Sequence, residues 1–185
     1  TYAEDAAPTI KVAYAKSKWT KVPMSAEADG SYLLPVGYKY EWTFDSAKYI
    51  SQSGEIDLNG VEAGSTQTVK IPMSLKPAGS GTKDDPYLIA DASQLRWFAA
   101  QVNDNSKNAI CAQLTDDIDL ESKEWTPIGK STSYAYKGTF DGNSREIKNL
   151  YVTGTTSNHY GLFGVLGAGG TIRNLTVSGC VTITG

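Results

Sequence analysis

Apolar side chains recur at every second position in the first part of the chain: Ile10, Val12 and Tyr14, then Tyr38, Tyr40, Trp42 and Phe44, then Val69, Ile71 and Met73. A period of two sets each group on one face of a half-buried strand. Turn signals at Ala28-Asp29-Gly30, Leu34-Pro35-Val36-Gly37 and Asn59-Gly60 separate these runs, and no stretch among them keeps a helical period. Short strands with frequent turns predict a small antiparallel sandwich of immunoglobulin-like type. A module this small, with no cysteine of its own, needs an aromatic-rich core, for which Trp19, Tyr40 and Trp42 are the candidates.

The pattern then changes. Residues 76–86, KPAGSGTKDDP, gather the punctuation of a domain entry and place a boundary near residue 79, giving modules over 1–78 and 79–185. Asp91 followed three residues later by Gln94 forms a capping box, and Leu95, Phe98, Ala99 and Val102 follow at helical spacing, predicting one amphipathic helix to about Asn103. Beyond Ala109 the chain returns to strands and repeats itself. IKNLYVTG from Ile147 matches IRNLTVSG from Ile172 at five of eight positions, with Thr153 and Ser178 a near match, at an offset of 25 residues. Such a period belongs to stacked repeat architectures.

Within each copy Ile147 and Asn149 are two apart, as are Leu150 and Val152, but Asn149 and Leu150 are adjacent. One straight strand cannot turn both pairs inward. A bend between Asn and Leu predicts the corner of a parallel β-helix, right-handed by the general preference of parallel crossovers. Ile147, Asn149, Leu150 and Val152 would then lie one coil under Ile172, Asn174, Leu175 and Val177, the two asparagines forming a buried amide stack. The predicted helix is placed to cap one end of the stack. No polar or helical element follows the strand over 180–183, so further coils are expected in a longer protein.

Composition narrows the function classes. With 17 Lys plus Arg against 20 Asp plus Glu the net charge is −3, and the two modules share it evenly, so there is no field for gathering phosphates and nucleic acid is not an expected partner. No apolar run reaches the roughly 18 residues of a membrane span. Cys111 and Cys180 are too few for a disulfide scaffold and lack zinc-site spacing; both fit apolar strands as thiols, although a bond between them stays open. His159 is the sole histidine, in a polar run from Thr155 that reads as a loop, and has no second ligand at metal spacing. Asn174-Leu175-Thr176 fits a glycosylation sequon, which a buried ladder position would hide.

From Gly79 onward the blocks GSGTKDDPYLIADASQLRWFAAQVN, LTDDIDL, EWTPIG, YKGTFDGNSREIKNL, YGLFGVL and GGTIRNLTVSG occur in an order that resembles the β-helical modules of large secreted or surface-anchored bacterial proteins with the G-L-x-G (GLUG) motif. The tetrad is Gly161, Leu162, Phe163 and Gly164. Residues 1–78 resemble, more loosely, the immunoglobulin-like modules that accompany them, through YLLPVGYKYEWTFDSAKYISQSGEIDL. The resemblance implies an extracellular setting and a parallel β-helix, and no shared active site. Where such modules commonly read DGNGH, this chain has Asp141-Gly142-Asn143-Ser144-Arg145.

Three groups carry candidate chemistry. Asp117, Asp119 and Glu121 alternate with the apolar Ile118 and Leu120 and so share an outer face, where carboxylates could hold calcium or, paired, cleave glycosides, but more commonly stand solvated. Tyr134 and Tyr136, in STSYAYKG, are the aromatics expected to be exposed for sugar stacking, while Trp97 and Trp125 are expected to pack inside. The glycines over 164–170 lack the Lys-Ser/Thr of a phosphate loop and read as a turn. No catalytic constellation or required cofactor emerges. The expectation is a non-catalytic extracellular bacterial surface protein, an adhesin or stalk whose partners are host or cell-wall glycans or proteins, with a polysaccharide-binding or polysaccharide-degrading β-helix as the alternative.

Overall fold

The computed structural model describes residues 9–15, 21–24, 32–67, 69, 73–104, 107–154 and 159–183. The chain is mostly β, with antiparallel and parallel sheets and one α-helix among the described residues. It divides into two compact units, Thr1–Leu75 and Lys76–Gly185.

In the first unit β1 (Thr9–Ala15), β2 (Lys21–Met24), β3 (Lys39–Asp45) and β4 (Gln52–Asp57) form an antiparallel sheet in the order β2-β1-β3-β4. The alternation in β3 is realised: Tyr40 and Phe44 are buried and Trp42 is half-buried, whereas Tyr38 just before the strand is exposed. Val12, Tyr40 and Leu58 form a small core against which Tyr14, Tyr32, Leu34 and Ile56 pack. Gly54 faces Trp42, whose indole would stand 2.8 Å from any Cβ added there. No second sheet faces this one among the described residues, so the sandwich expected from the turn spacing is represented by a single layer. Val69 and Met73 are exposed and outside any strand, contrary to the alternation read there; Ile71 and Trp19 lie outside the described residues.

The second unit begins with β5 (Tyr87–Ile89) and α1 (Ala92–Asp104). The Asp91 cap forms as its spacing predicts, and the return bond from Gln94 reaches the residue before the cap. Asp91 Oδ1 accepts the Gln94 N–H at 2.8 Å, and Gln94 Oε1 accepts the N–H of Ala90 at 2.8 Å. Leu95, Phe98, Ala99 and Val102 are buried, so the predicted apolar stripe is the one that faces the core. Trp97 leaves that stripe only slightly and meets Tyr87 of β5 edge to face, at 5.1 Å between ring centroids.

Thereafter β6 (Ala112–Leu114), β7 (Ile118–Asp119), β8 (Thr139–Gly154) and β9 (Thr171–Ile183) stack in parallel. Tyr87 pairs with Ala112, Ala112 with Phe140 and Phe140 with Ile172, so successive coils advance 25, 28 and 32 residues. Parallel bridges at Glu124–Tyr151, Ile128–Phe163 and Tyr136–Leu166 carry the stack around its other sides. Leu114, Ile118, Leu120, Trp125, Ile128, Tyr136, Phe140, Ile147, Leu150 and Val152 fill the interior as one core with the helix.

Two expectations are corrected here. The repeated octads do not stack on each other: Ile147 lies under Val177, Leu150 under Gly179 and Val152 under Val181, while Ile172 covers Phe140 and Leu175 covers Arg145. The coil is longer than the 25-residue repeat, so the octad that forms the second corner of β8 matches in sequence the octad that forms the first corner of β9. Asn149 and Asn174 therefore belong to different columns, and both are exposed rather than buried. Of the repeat residues, Ile147, Leu150 and Val152 are core; Leu175 is half-buried, and Ile172 and Val177 are exposed.

Candidate functional site

The bend between Asn and Leu is present, and its cause is local. Asn149 and Asn174 have φ of 55° and 52°, in the left-handed region that asparagine tolerates better than most side chains. Asn143 and Ser144, at 49° and 59°, make another corner in β8, and Glu121 and Ser122, at 56° and 52°, make the corresponding corner one coil below Asn149. Gly179, with φ 155°, sits over Leu150 in the last coil, where a Cβ would stand 2.2 Å from the Leu150 carbonyl oxygen. Only glycine fits there.

Carboxylates hold these corners. Asp119 Oδ1 accepts the backbone N–H of Glu121 at 2.7 Å and, from the next coil, the side-chain amide of Asn149 at 2.9 Å. Asp141 repeats the arrangement, its Oδ1 accepting the N–H of Asn143 at 2.9 Å and the amide of Asn174 at 3.1 Å. Arg173 adds Nε and Nη2 contacts to Asp141 Oδ2 at 2.9 and 2.8 Å. Asn143 donates downward to the Leu114 carbonyl at 3.1 Å. Each asparagine thus ties one coil to the one beneath, through a carboxylate or a carbonyl rather than through another asparagine. Asn149's amide and the Glu121 N–H hold Asp119 below the ordinary carboxylate range, and the Asn143 N–H, with Asn174 and Arg173, does the same for Asp141.

The acidic run is exposed on one outer face, as alternation predicts. Its groups do not converge on a common point. Asp117 accepts the Glu146 N–H at 2.9 Å, Asp119 caps its corner, and Glu121 pairs with Lys123. Glu124 reaches up to Thr153, one oxygen accepting the backbone N–H at 2.9 Å and the other accepting the hydroxyl at 3.0 Å. Among the described residues no three His, Cys, Asp or Glu side chains are grouped to hold a metal ion.

The tyrosines divide. Tyr136 is fully buried, its hydroxyl donating to the Ile110 carbonyl at 2.9 Å, because its position pairs with Leu166 inside the stack. Burial pushes its phenol well above the ordinary value. The expectation that it is exposed for stacking is overturned. Tyr134, in the 3₁₀ turn Thr132–Tyr134, is half-buried with the Lys130 ammonium 5.0 Å from its ring. A groove of about 270 Å³ runs between α1 and the segment 125–130, with Arg96, Asp104 and Lys130 among its lining residues. Those groups are engaged: Arg96 donates to the Glu124 carbonyl at 2.8 Å, and Lys130 pairs with Asp104 at 2.7 Å. Asn103, buried below, donates to the Pro127 carbonyl and accepts the N–H groups of Gly129 and Lys130.

The G-L-x-G tetrad is a stacking element. The Leu162 carbonyl accepts the Trp125 indole N–H at 3.1 Å and the Ile128 N–H at 2.9 Å, and the Gly164 N–H donates to the Ile128 carbonyl at 2.9 Å. Leu162 is buried, Phe163 is half-buried against the core, and a Cβ on Gly164 would stand 2.7 Å from the Gly129 carbonyl oxygen. Trp125 is buried as expected, under the Arg96 guanidinium 5.5 Å from its ring. Cys111 is buried and Cys180 exposed, both as free thiols; His159 is half-buried.

Sequence reading missed the roles of Asp141, Glu146 and Arg173, and took Glu124 only as a member of the acidic run. A signal was present: Asp-x-Glu at 119–121 and Asp-x-Asn at 141–143 both put an acid two residues before a left-handed position.

Parallel coils capped by a helix and laced along their corners by acids and amides define a coil-stacking β-protein, and the chain is similar to parts of longer proteins. No family model matches the chain, and the likeness to G-L-x-G modules rests on its residues alone. A protein of Evansella cellulosilytica provisionally named a Gly-rich membrane protein is 35% identical over 123 residues, 60% of this chain and 13% of that protein. Halomucin of Haloquadratum walsbyi is 29% identical over 184 residues, 91% of this chain and 2% of its own length. The chain therefore spans a small fraction of these relatives. A crystal structure of a Bacteroides ovatus protein provisionally classed as an immunoglobulin A1 protease matches 54% of this chain and 29% of its own, at 31% identity and a TM-score of 0.42. Among the described residues no helix is long and apolar enough to cross a membrane.

Proposed function

We propose that the chain is a non-catalytic part of an extracellular prokaryotic surface protein and that its coiled unit is a stalk, a rigid spacer that positions other parts of the molecule. One observation carries this reading: the polar side chains along the corners are engaged from coil to coil, Asp119 with Asn149, Asp141 with Asn174, and Glu124 with Thr153. Groups committed to such bonds stiffen a stack and are withdrawn from binding or proton transfer. The names of the two relatives, a membrane protein and halomucin, support a surface setting. Adhesion to glycans or proteins would use the outer faces of the same stack. The polysaccharide-degrading alternative needs two carboxylates free to act across a sugar bond. Here Asp117 and Asp119 are occupied by a backbone N–H and an amide.

An antibody raised against the first unit tests the setting: it should label intact, unpermeabilised cells of the source, and labelling only after permeabilisation overturns the surface reading. Incubation of the chain with a panel of acidic and neutral polysaccharides should release no reducing or unsaturated ends. Cleavage that disappears in the Asp117→Asn, Asp119→Asn double variant would establish the enzyme reading instead.

A further inference from the structure

The last coil is built like those beneath it, and nothing described covers it. β9 pairs with β8 from Thr139–Thr171 to Gly154–Ile183, and no described strand pairs with its other edge. Its apolar side chains continue buried columns. Ile172 stands on Phe140, Val177 on Ile147 and Val181 on Val152. The lower three are 0, 0 and 2% exposed, the upper three 37, 40 and 44%. Leu166, which stands on Tyr136, is 48% exposed. In this unit a side chain becomes core when a coil is laid over it.

Exposed edge strands are ordinarily guarded by lysine, proline or inward charges. β9, TIRNLTVSGCVTI, has neither lysine nor proline, and Arg173 is its one charged residue. The exception is informative about a partner. Arg173 belongs to the column Gln113, Asp141, Arg173, where Asp141 already receives it from below, and its side chain stays 59% exposed.

We propose that β9 is the docking surface for one further parallel coil of the same polypeptide, a coil that sets aliphatic side chains over Ile172, Val177 and Val181 and a carboxylate over Arg173. Continuity argues for this occupant: β6 on β5, β8 on β6 and β9 on β8 are three successive dockings of one kind. Charge argues against a second copy meeting β9 edge to edge, because β9 would bring another Arg173 and no acid. The inference deepens the stalk reading, since a stalk lengthens by such dockings, but its test reads the β9 edge and is independent of where the protein resides.

Amide hydrogen exchange of peptides spanning 171–183 is compared between residues 1–185 produced alone and the longest form of the protein isolated from its source. Exchange slower by about 100-fold or more in the longer form is expected, as for edge amides drawn into a cooperative unit. Equal rates in the two forms overturn the proposal. So does protection already present in residues 1–185 together with dimers in sedimentation that Val177→Lys dissolves, for then a second copy is the occupant.

Discussion

Asn149 does two things at once: its backbone holds φ 55°, and its amide reaches Asp119 one coil below. Substitution separates them. Asn149→Gly keeps an easy left-handed corner and loses the amide, whereas Asn149→Ala loses the amide and forces an alanine into a region that costs an L-residue about 1–2 kcal/mol. In urea unfolding the alanine variant should be the less stable by about 1 kcal/mol, and equal midpoints would mean that the corner relaxes to another conformation. Tyr136 isolates a different term, because its ring is core and its hydroxyl serves the Ile110 carbonyl. Tyr136→Phe keeps the packing and leaves that carbonyl without its partner, for an expected cost of about 1–3 kcal/mol. A loss under about 0.5 kcal/mol, the range of ordinary surface changes, would show the bond to be dispensable.

At the scale of elements, what could be read in the sequence is what is decided within a few residues. Helix α1 was legible because the Asp91–Gln94 cap and the Leu95, Phe98, Val102 stripe are set by neighbours three and four positions away. Asp91→Ala should accordingly cost about 1 kcal/mol, seen as a lower denaturant midpoint with an unchanged slope. The corners were legible for the same reason, since Ile-x-Asn-Leu cannot be one straight strand. The register was not. β8 has corners at Asn143–Ser144 and Asn149, β9 at Asn174 and Gly179, and the choice between them depends on how long the whole coil is, which no octad contains. The acidic face was likewise visible in outline but not in purpose: the amide that occupies Asp119 comes from a residue 30 positions away. The corrected register changes a forecast. Leu150, 6% exposed, should cost about 2–5 kcal/mol on truncation to Ala, while half-buried Leu175, in the uncovered coil, should cost clearly less. Equal losses would imply that β9 is covered in the molecule measured.

For the whole molecule, the two units have separate cores, one around Tyr40 and one around the stacked coils, and the corner carboxylates belong to the second. Acid should therefore act on the coiled unit through Asp119 and Asp141. Both are held below the ordinary value of 3.8, Asp119 first by Asn149 and Asp141 first by the Asn143 N–H. A carboxyl with a folded-state value below its unfolded one is bound more strongly to protons in the unfolded chain, so its contribution is complete above 3.8 and disappears as pH falls through the lowered folded values. The coiled unit's melting temperature should hold near neutrality and decline below about pH 4. The Asp119→Asn, Asp141→Asn variant keeps a carbonyl oxygen to accept at each corner but has no charge to lose, so its melting temperature should start lower and fall less over the same acid range. Parallel declines in the parent and the double variant would place the acid-sensitive groups elsewhere. A decline in the parent that added salt largely removed would assign the effect to the exposed Arg173 pairing with Asp141 rather than to the capped corners, because screening weakens exposed ion pairs far more than short hydrogen bonds to backbone N–H groups.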